Sequence, residues 1–166
     1  MKVRKFTNFK TRLSFVNSFV IGRLNYLLPI LLSAPKHMIH KLHLIYIKAA
    51  KLIININTFK KSNKFILKSC NWPSLCSLIQ FSSLNYIHKI VYMGNPSSLS
   101  NLFKYPNRLT KDIIPLEELK CKYTKNFFLY KAMSLYNELG SVIKLLSPFK
   151  FKAKVRKVLG YDGIHI

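Results

Sequence analysis

The sequence is nearly empty of negative charge: its 166 residues include five carboxylates, Asp112, Glu117, Glu118, Glu138 and Asp162. Only Glu117 and Glu118 are neighbours. Polymerases and nucleases hold their metals with clustered carboxylates, so two-metal chemistry is excluded for these acids and no catalytic residue is assigned. Cysteine is also scarce. Cys70, Cys76 and Cys121 are too few and too irregularly spaced for a disulfide framework. A reduced interior is expected, with Cys70 and Cys76 as small buried residues. Glycine-rich phosphate loops and a G-x-S-x-G nucleophile turn are both missing. The chain is read as a non-enzyme without cofactor or metal.

A long uninterrupted apolar run is missing too. Residues 13–34 are largely apolar and follow a basic start, but Asn17, Arg23 and Asn25 interrupt them and Pro29 follows. The uncharged part, 24–34, falls short of the roughly 20 residues that a membrane helix needs. A central arginine is expensive in a bilayer. A membrane span is not expected, and a nuclear or cytoplasmic location is expected rather than secretion.

What the chain does contain is positive charge. Twenty-eight Lys and Arg give a net charge of +23. Such self-repulsion disfavours a compact state unless an anionic partner relieves it. Nucleic acid and an anionic membrane surface are the leading partners, with an acidic protein third. A/T-biased coding, which favours Lys, Asn, Ile and Phe, contributes to the excess. Apolar residues make up 49%, with 12 Phe and 9 Tyr, so the chain is no disordered basic tail. Its length suits one domain with a real core.

The strongest helical pattern lies at 36–56. Met38, Leu42, Ile45, Ala49, Leu52 and Ile56 recur in steps of 4, 3, 4, 3 and 4, which places them on one stripe. Beside it runs a second stripe of His37, Lys41, Leu44, Lys48 and Lys51. The pattern predicts a buried seam with a cationic edge, on which the rest of the chain packs. His37, His40 and His43 step by three rather than four, with no Cys or carboxylate nearby, so they read as a polar edge and not a metal site.

Elsewhere the pattern predicts a basic leader over residues 1–12, a helix from Asn8 to about Phe19, and a bend at Gly22. A second helical segment follows, kinked at Pro29. A polar break at 55–63 precedes a short helix, and Lys60, Lys61, Lys64 and Lys68 form a second basic cluster. Trp72 is the single tryptophan and reads as a core anchor. A long helix over 73–93 is closed by Gly94, Asn95 and Pro96. Residues 95–119 form a loose connector with a short strand at 112–114. A helix then runs to Gly140 and a last one covers 148–159. These spans divide into a basic helical core (1–94), a connector (95–122), a C-terminal hairpin (123–159) and a tail (160–166). The fold class is all-α, an irregular bundle of about five to seven helices.

Several of these stretches, taken in order, resemble the C-terminal part of LINE-type (non-LTR, jockey-like) retrotransposon reverse transcriptases, downstream of the catalytic palm. Arg12-Leu13 through Ser18 to Arg23-Leu24-Asn25-Tyr26 is similar to the family's "S-x-x-x-x-x-L-x-Y" helix. Lys48-Ala49-Ala50-Lys51-Leu52-Ile53 resembles a segment usually written with Arg where Lys51 stands. Trp72-Pro73-Ser74-Leu75 resembles "W-x-P-L", with the proline one place early. Tyr136-Asn137-Glu138-Leu139 resembles "W-N-x-L-P", with Tyr136 for Trp and Gly140 for Pro. Phe149-Lys150 to Leu159 resembles a closing "F-K-x-x-L-K-x-x-L" helix. The resemblance covers about residues 8–159 and implies a thumb-and-connection region that grips template and primer. The family's fingers and palm would lie upstream of Met1, which makes the chain a remnant or a separately encoded piece.

The expectation is therefore non-sequence-specific binding of RNA or an RNA–DNA hybrid. Lys41, Lys48, Lys51, Lys60, Lys61, Lys64, Lys68, Lys154, Arg156 and Lys157 would contact phosphates. A separately encoded reverse transcriptase palm is a further partner. Two alternatives stand beside this reading: a basic amphipathic protein lying on anionic lipid, and a gene fragment without selected activity.

Overall fold

The structure, a computed structural model, describes residues 7–54, 62–94, 96–100, 103–104, 114–115 and 127–160. Among them are eight helices: α1 (Phe9–Leu31), α2 (Lys36–Ile54), α3 (Asn63–Ser69), α4 (Leu75–Met93), α5 (Ser97–Ser100), α6 (Phe128–Asn137), α7 (Ser141–Lys144) and α8 (Pro148–Val158). A two-residue antiparallel ladder, Phe103–Lys104 with Ile114–Pro115, is the remaining regular element among the described residues. The architecture is an all-α multi-helix fold.

Side-chain caps set three of the helix starts. The Asn8, Ser62 and Ser74 side chains accept from the backbone N–H groups of Thr11, Phe65 and Ser77, at 2.8, 3.3 and 3.1 Å. Each satisfies a donor that the first turn leaves orphaned. Pro148 opens α8 in the first turn, where its missing N–H costs nothing. At the far end of α4, Gly94 adopts φ +64 and its N–H bonds to Ile90 O at 2.8 Å. Asn71 takes the same left-handed conformation after α3 (φ 57), and the Trp72 N–H returns to Leu67 O at 2.9 Å.

Helix α1 departs from the expected pair of segments. It is continuous, and its irregularity falls at Asn17–Ile21, a π-turn in which the Gly22 N–H bonds to Asn17 O. Gly22 itself keeps a helical φ of −57. The buried residues of α1 are Val16, Ile21, Leu24 and Leu28. The five-residue step from Val16 to Ile21 is the wider turn. Pro29 sits inside the helix, and its carbonyl accepts from the buried Ser83 hydroxyl of α4 at 3.4 Å.

The centre of the fold is α4 rather than α2. Leu75, Leu78, Ile79, Phe81, Leu84, Ile87 and Ile90 are all buried, and α1, α6 and α8 pack against this helix. Helix α2 lies to one side, against α3 and the first half of α1. Its buried face is also rotated from the expected seam. Tyr46, Ile47, Ala50 and Ile53 join Ala49 in the core, while Met38 and Ile45 are exposed. The anchor is Trp72, whose ring stacks on Tyr46 with centroids 4.9 Å apart, while the Tyr46 hydroxyl donates to Pro73 O at 3.1 Å. An aromatic pair of this kind outweighs the thinner Met38–Ile45 stripe. Buried residues from α1 through α8 form one core cluster.

Arg12 is no solvated leader residue. Its Nε donates to Ile53 O at 3.0 Å and its Nη1 to Thr7 O. A cation thus closes the C-terminal end of α2, where the helix dipole favours it. Arg12→Ala is expected to destabilise the fold by about 1–3 kcal/mol, the usual worth of a hydrogen bond from a charged group. The measurement is a urea titration, and a midpoint equal to wild type would deny the cap its role.

Candidate nucleic-acid interface and a cationic cleft

The sequence-derived lysines divide into two groups on helices with different packing partners. Lys41 and Lys48 lie on the face of α2 opposite Tyr46 and Ala50 and are exposed, whereas Lys51 is half-buried. Lys64 and Lys68 are exposed on α3, which packs against α2 through its buried Ile66 and Leu67. Lys60 and Lys61 lie outside the described residues. In α8, Phe151 and Val155 are buried, and Lys150, Lys154 and Lys157 form an exposed stripe on the opposite face. Lys150 stands outside the sequence-derived set, although its spacing to Lys154 and Lys157 reads as one helix face. Among the described residues, Glu138 is the single carboxylate, and it is exposed. Among the described residues, the exposed lysines of these faces therefore far outnumber the groups of opposite sign.

Arg156 separates from its neighbours. It turns from the Lys154–Lys157 face towards α4, its guanidinium carbon 5.5 Å from the Phe81 ring centroid. There it lines a half-open cleft of about 230 Å³ together with Asn25 and Leu28 of α1, Ser82, Asn85 and Lys89 of α4, and Pro148 and Lys152 of α8. Lys152 feels this crowding: partial burial, then the charges of Arg156 and Lys89, hold its ammonium below the usual lysine range. Sequence reasoning passed over Lys89 and Lys152, but their spacings carry a signal. Asn85 and Lys89, and Lys152 and Arg156, are i, i+4 pairs on their helices.

Below the cleft is a buried polar cluster that the sequence did not announce. His88, 1% exposed, stacks on Phe151 with centroids 3.7 Å apart and planes 4° from parallel. Its Nε2 lies 3.0 Å from Leu146 O, and its Nδ1 lies 3.2 Å from the Tyr136 hydroxyl. A carbonyl oxygen can only accept, so Nε2 carries a proton, and in the neutral ring Nδ1 accepts from the Tyr136 hydroxyl. Lys144 is also buried, at 2% exposure, and its Nζ donates to Asn137 O at 3.0 Å while lying over the Tyr136 ring. It closes the C-terminal end of α6 as Arg12 closes that of α2.

His37 and His40 are exposed and His43 is half-buried. Among the described residues, no three His, Cys, Asp or Glu side chains come together as a metal site would require. Cys70 is buried, with its Sγ 3.6 Å from Ala50 O, and burial pushes its thiol up to about 11. Cys76, expected inside, is exposed: it is the residue after Leu75 at the start of α4, on the side that faces solvent.

The fold and its site define a strongly basic all-α protein that presents exposed lysines on α2, α3 and α8. No protein-family model matches the chain, and no curated protein or solved structure matches it.

Proposed function

We propose that the chain binds the backbone of RNA or an RNA–DNA hybrid without sequence preference, as a non-catalytic, thumb-like piece of a retrotransposon reverse transcriptase acting in the nucleus or cytoplasm. One observation carries this reading: exposed lysine faces on α2, α3 and α8 with one described carboxylate to set against them. Phosphate contacts from such faces release counterions and carry no base information. The stretches that resemble the family fall at structural joints, which supports the reading. Trp72 and Ser74 form the opening of α4, and Tyr136 sits at the end of α6 beside His88.

The test is fluorescence anisotropy of a labelled hybrid at several salt concentrations. The expected log–log slope is about −4 or steeper, equivalent to a loss of roughly 250-fold in affinity between 50 and 200 mM salt. A flat response would remove nucleic acid as the partner.

A second reading has its own observation. Helix α1 is 23 residues long and apolar enough by length and composition to cross a bilayer, and only 22% of its apolar window is buried. Phe15, Phe19, Tyr26 and Ile30 are all more than half exposed. This face would rest on anionic lipid or on a separately encoded palm. Co-sedimentation with anionic vesicles separates the lipid reading from the hybrid reading.

A further inference from the structure

We propose that the cleft between α1, α4 and α8 binds a sugar phosphate: a phosphomonoester carried on a hydroxylated carbon frame, as at the end of a nucleotide. Lys89, Lys152 and Arg156 converge on it from two helices, and no carboxylate among the described residues lines it. Three like charges held together oppose one another, and an anion at their centre turns that repulsion into attraction. A dianionic phosphate is the anion that three donors of this kind suit, since lysine supplies point charge and arginine a planar fork.

The remainder of the lining asks for more than a bare anion. Leu28, Leu78, Phe81 and Pro148 give the cleft an apolar wall. The Asn25 amide oxygen, also in the lining, is buried and meets no hydrogen-bond partner among the described residues. An acceptor left in this way is costly, and a sugar hydroxyl would donate to it. The volume of about 230 Å³ is below the range of roughly 300–1,000 Å³ typical of drug-sized ligands. It suits a phosphate with its sugar and leaves a base outside.

This inference does not rest on the backbone-binding reading, because its probes are mononucleotide-sized. Isothermal titration of the full chain with ribose 5-phosphate and with adenosine 5′-monophosphate is expected to give saturable one-site binding, and ribose alone none. Lys89 and Lys152 are exposed, so Lys89→Gln and Lys152→Gln leave the core intact. Each is expected to weaken ribose 5-phosphate binding about tenfold or more, as for a lost charge-assisted hydrogen bond. Binding of inorganic phosphate as tightly as ribose 5-phosphate would overturn the sugar-phosphate assignment. So would the absence of saturation, or unchanged affinity in both variants.

A further arm compares one oligoribonucleotide with a 5′-phosphate or a 5′-hydroxyl end. Tighter binding of the phosphorylated strand, blocked by ribose 5-phosphate, supports a strand terminus as the source. Equal binding alongside saturable ribose 5-phosphate supports a free sugar phosphate. Failure of hybrid binding with retained ribose 5-phosphate binding would sink the grip and leave the cleft standing.

Discussion

Phe151→Ala is expected to lower the stability of the chain by about 3–5 kcal/mol, the range for removing a fully buried phenylalanine. That is a large part of the roughly 5–15 kcal/mol that holds a domain of ordinary stability. Phe151 is fully buried and is the hinge pin between α8 and the rest: its ring lies flat on His88 of α4 and within 6.2 Å of the Tyr136 ring of α6. Removing it leaves a cavity against three helices and frees His88 to tilt away from Leu146 O. Tyr136→Phe, which keeps the ring and deletes the hydroxyl opposite His88 Nδ1, is expected to cost about 1 kcal/mol. Paired urea titrations decide the matter. A loss under about 1 kcal/mol for Phe151→Ala would mean that α8 is not docked on α4 as described.

The second large effect concerns binding. Lys150→Gln, Lys154→Gln and Lys157→Gln combined strip the outer face of α8 and leave Phe151 and Val155 in the core. Three lost phosphate contacts make the salt slope shallower by about 3. At physiological salt the counterion term alone predicts a loss of roughly a hundredfold in hybrid affinity. The melting temperature should hold or rise, because the substitutions relieve repulsion. An unchanged slope would place the phosphate contacts on α2 and α3 instead.

The helices themselves were legible because their ends carry chemistry that acts locally. Gly94 and Pro148 fix the end of α4 and the start of α8 almost to the residue, whereas α4 begins after the Ser74 cap rather than at Pro73 as its proline suggested. The seam of α2 was not legible in the same way. Two apolar stripes one residue apart run along that helix, and the choice between Met38–Ile45 and Tyr46–Ala50 is made by Trp72, which arrives from 26 residues further along. The polar interior was hidden for a related reason. His88 and Lys144 carry side chains that prefer water, and only a stacked ring at one and a helix end at the other make burial tolerable. Arg156 was picked out for its charge, but its partners Lys89 and Asn25 lie on helices that no periodicity links to α8. Lys60 and Lys61 fall outside the described residues and add nothing to either account.

The π-turn of α1 also sets how this chain tolerates change in length. One surplus residue between Val16 and Ile21 lets the front of the helix address α2 while Leu24 and Leu28 address α4. Deleting one residue from Asn17–Ile21 would shorten the wide turn to an ordinary one and restore an unbroken α-helix, in which the residues behind it keep their faces relative to the front. The steps from Val16 to Ile21, Leu24 and Leu28 would become 4, 3 and 4, a single α-helical stripe that stays in the core. A single-codon deletion is therefore absorbed at the π-turn, whereas the same deletion in a regular turn of α1 would rotate everything behind it by about 100°.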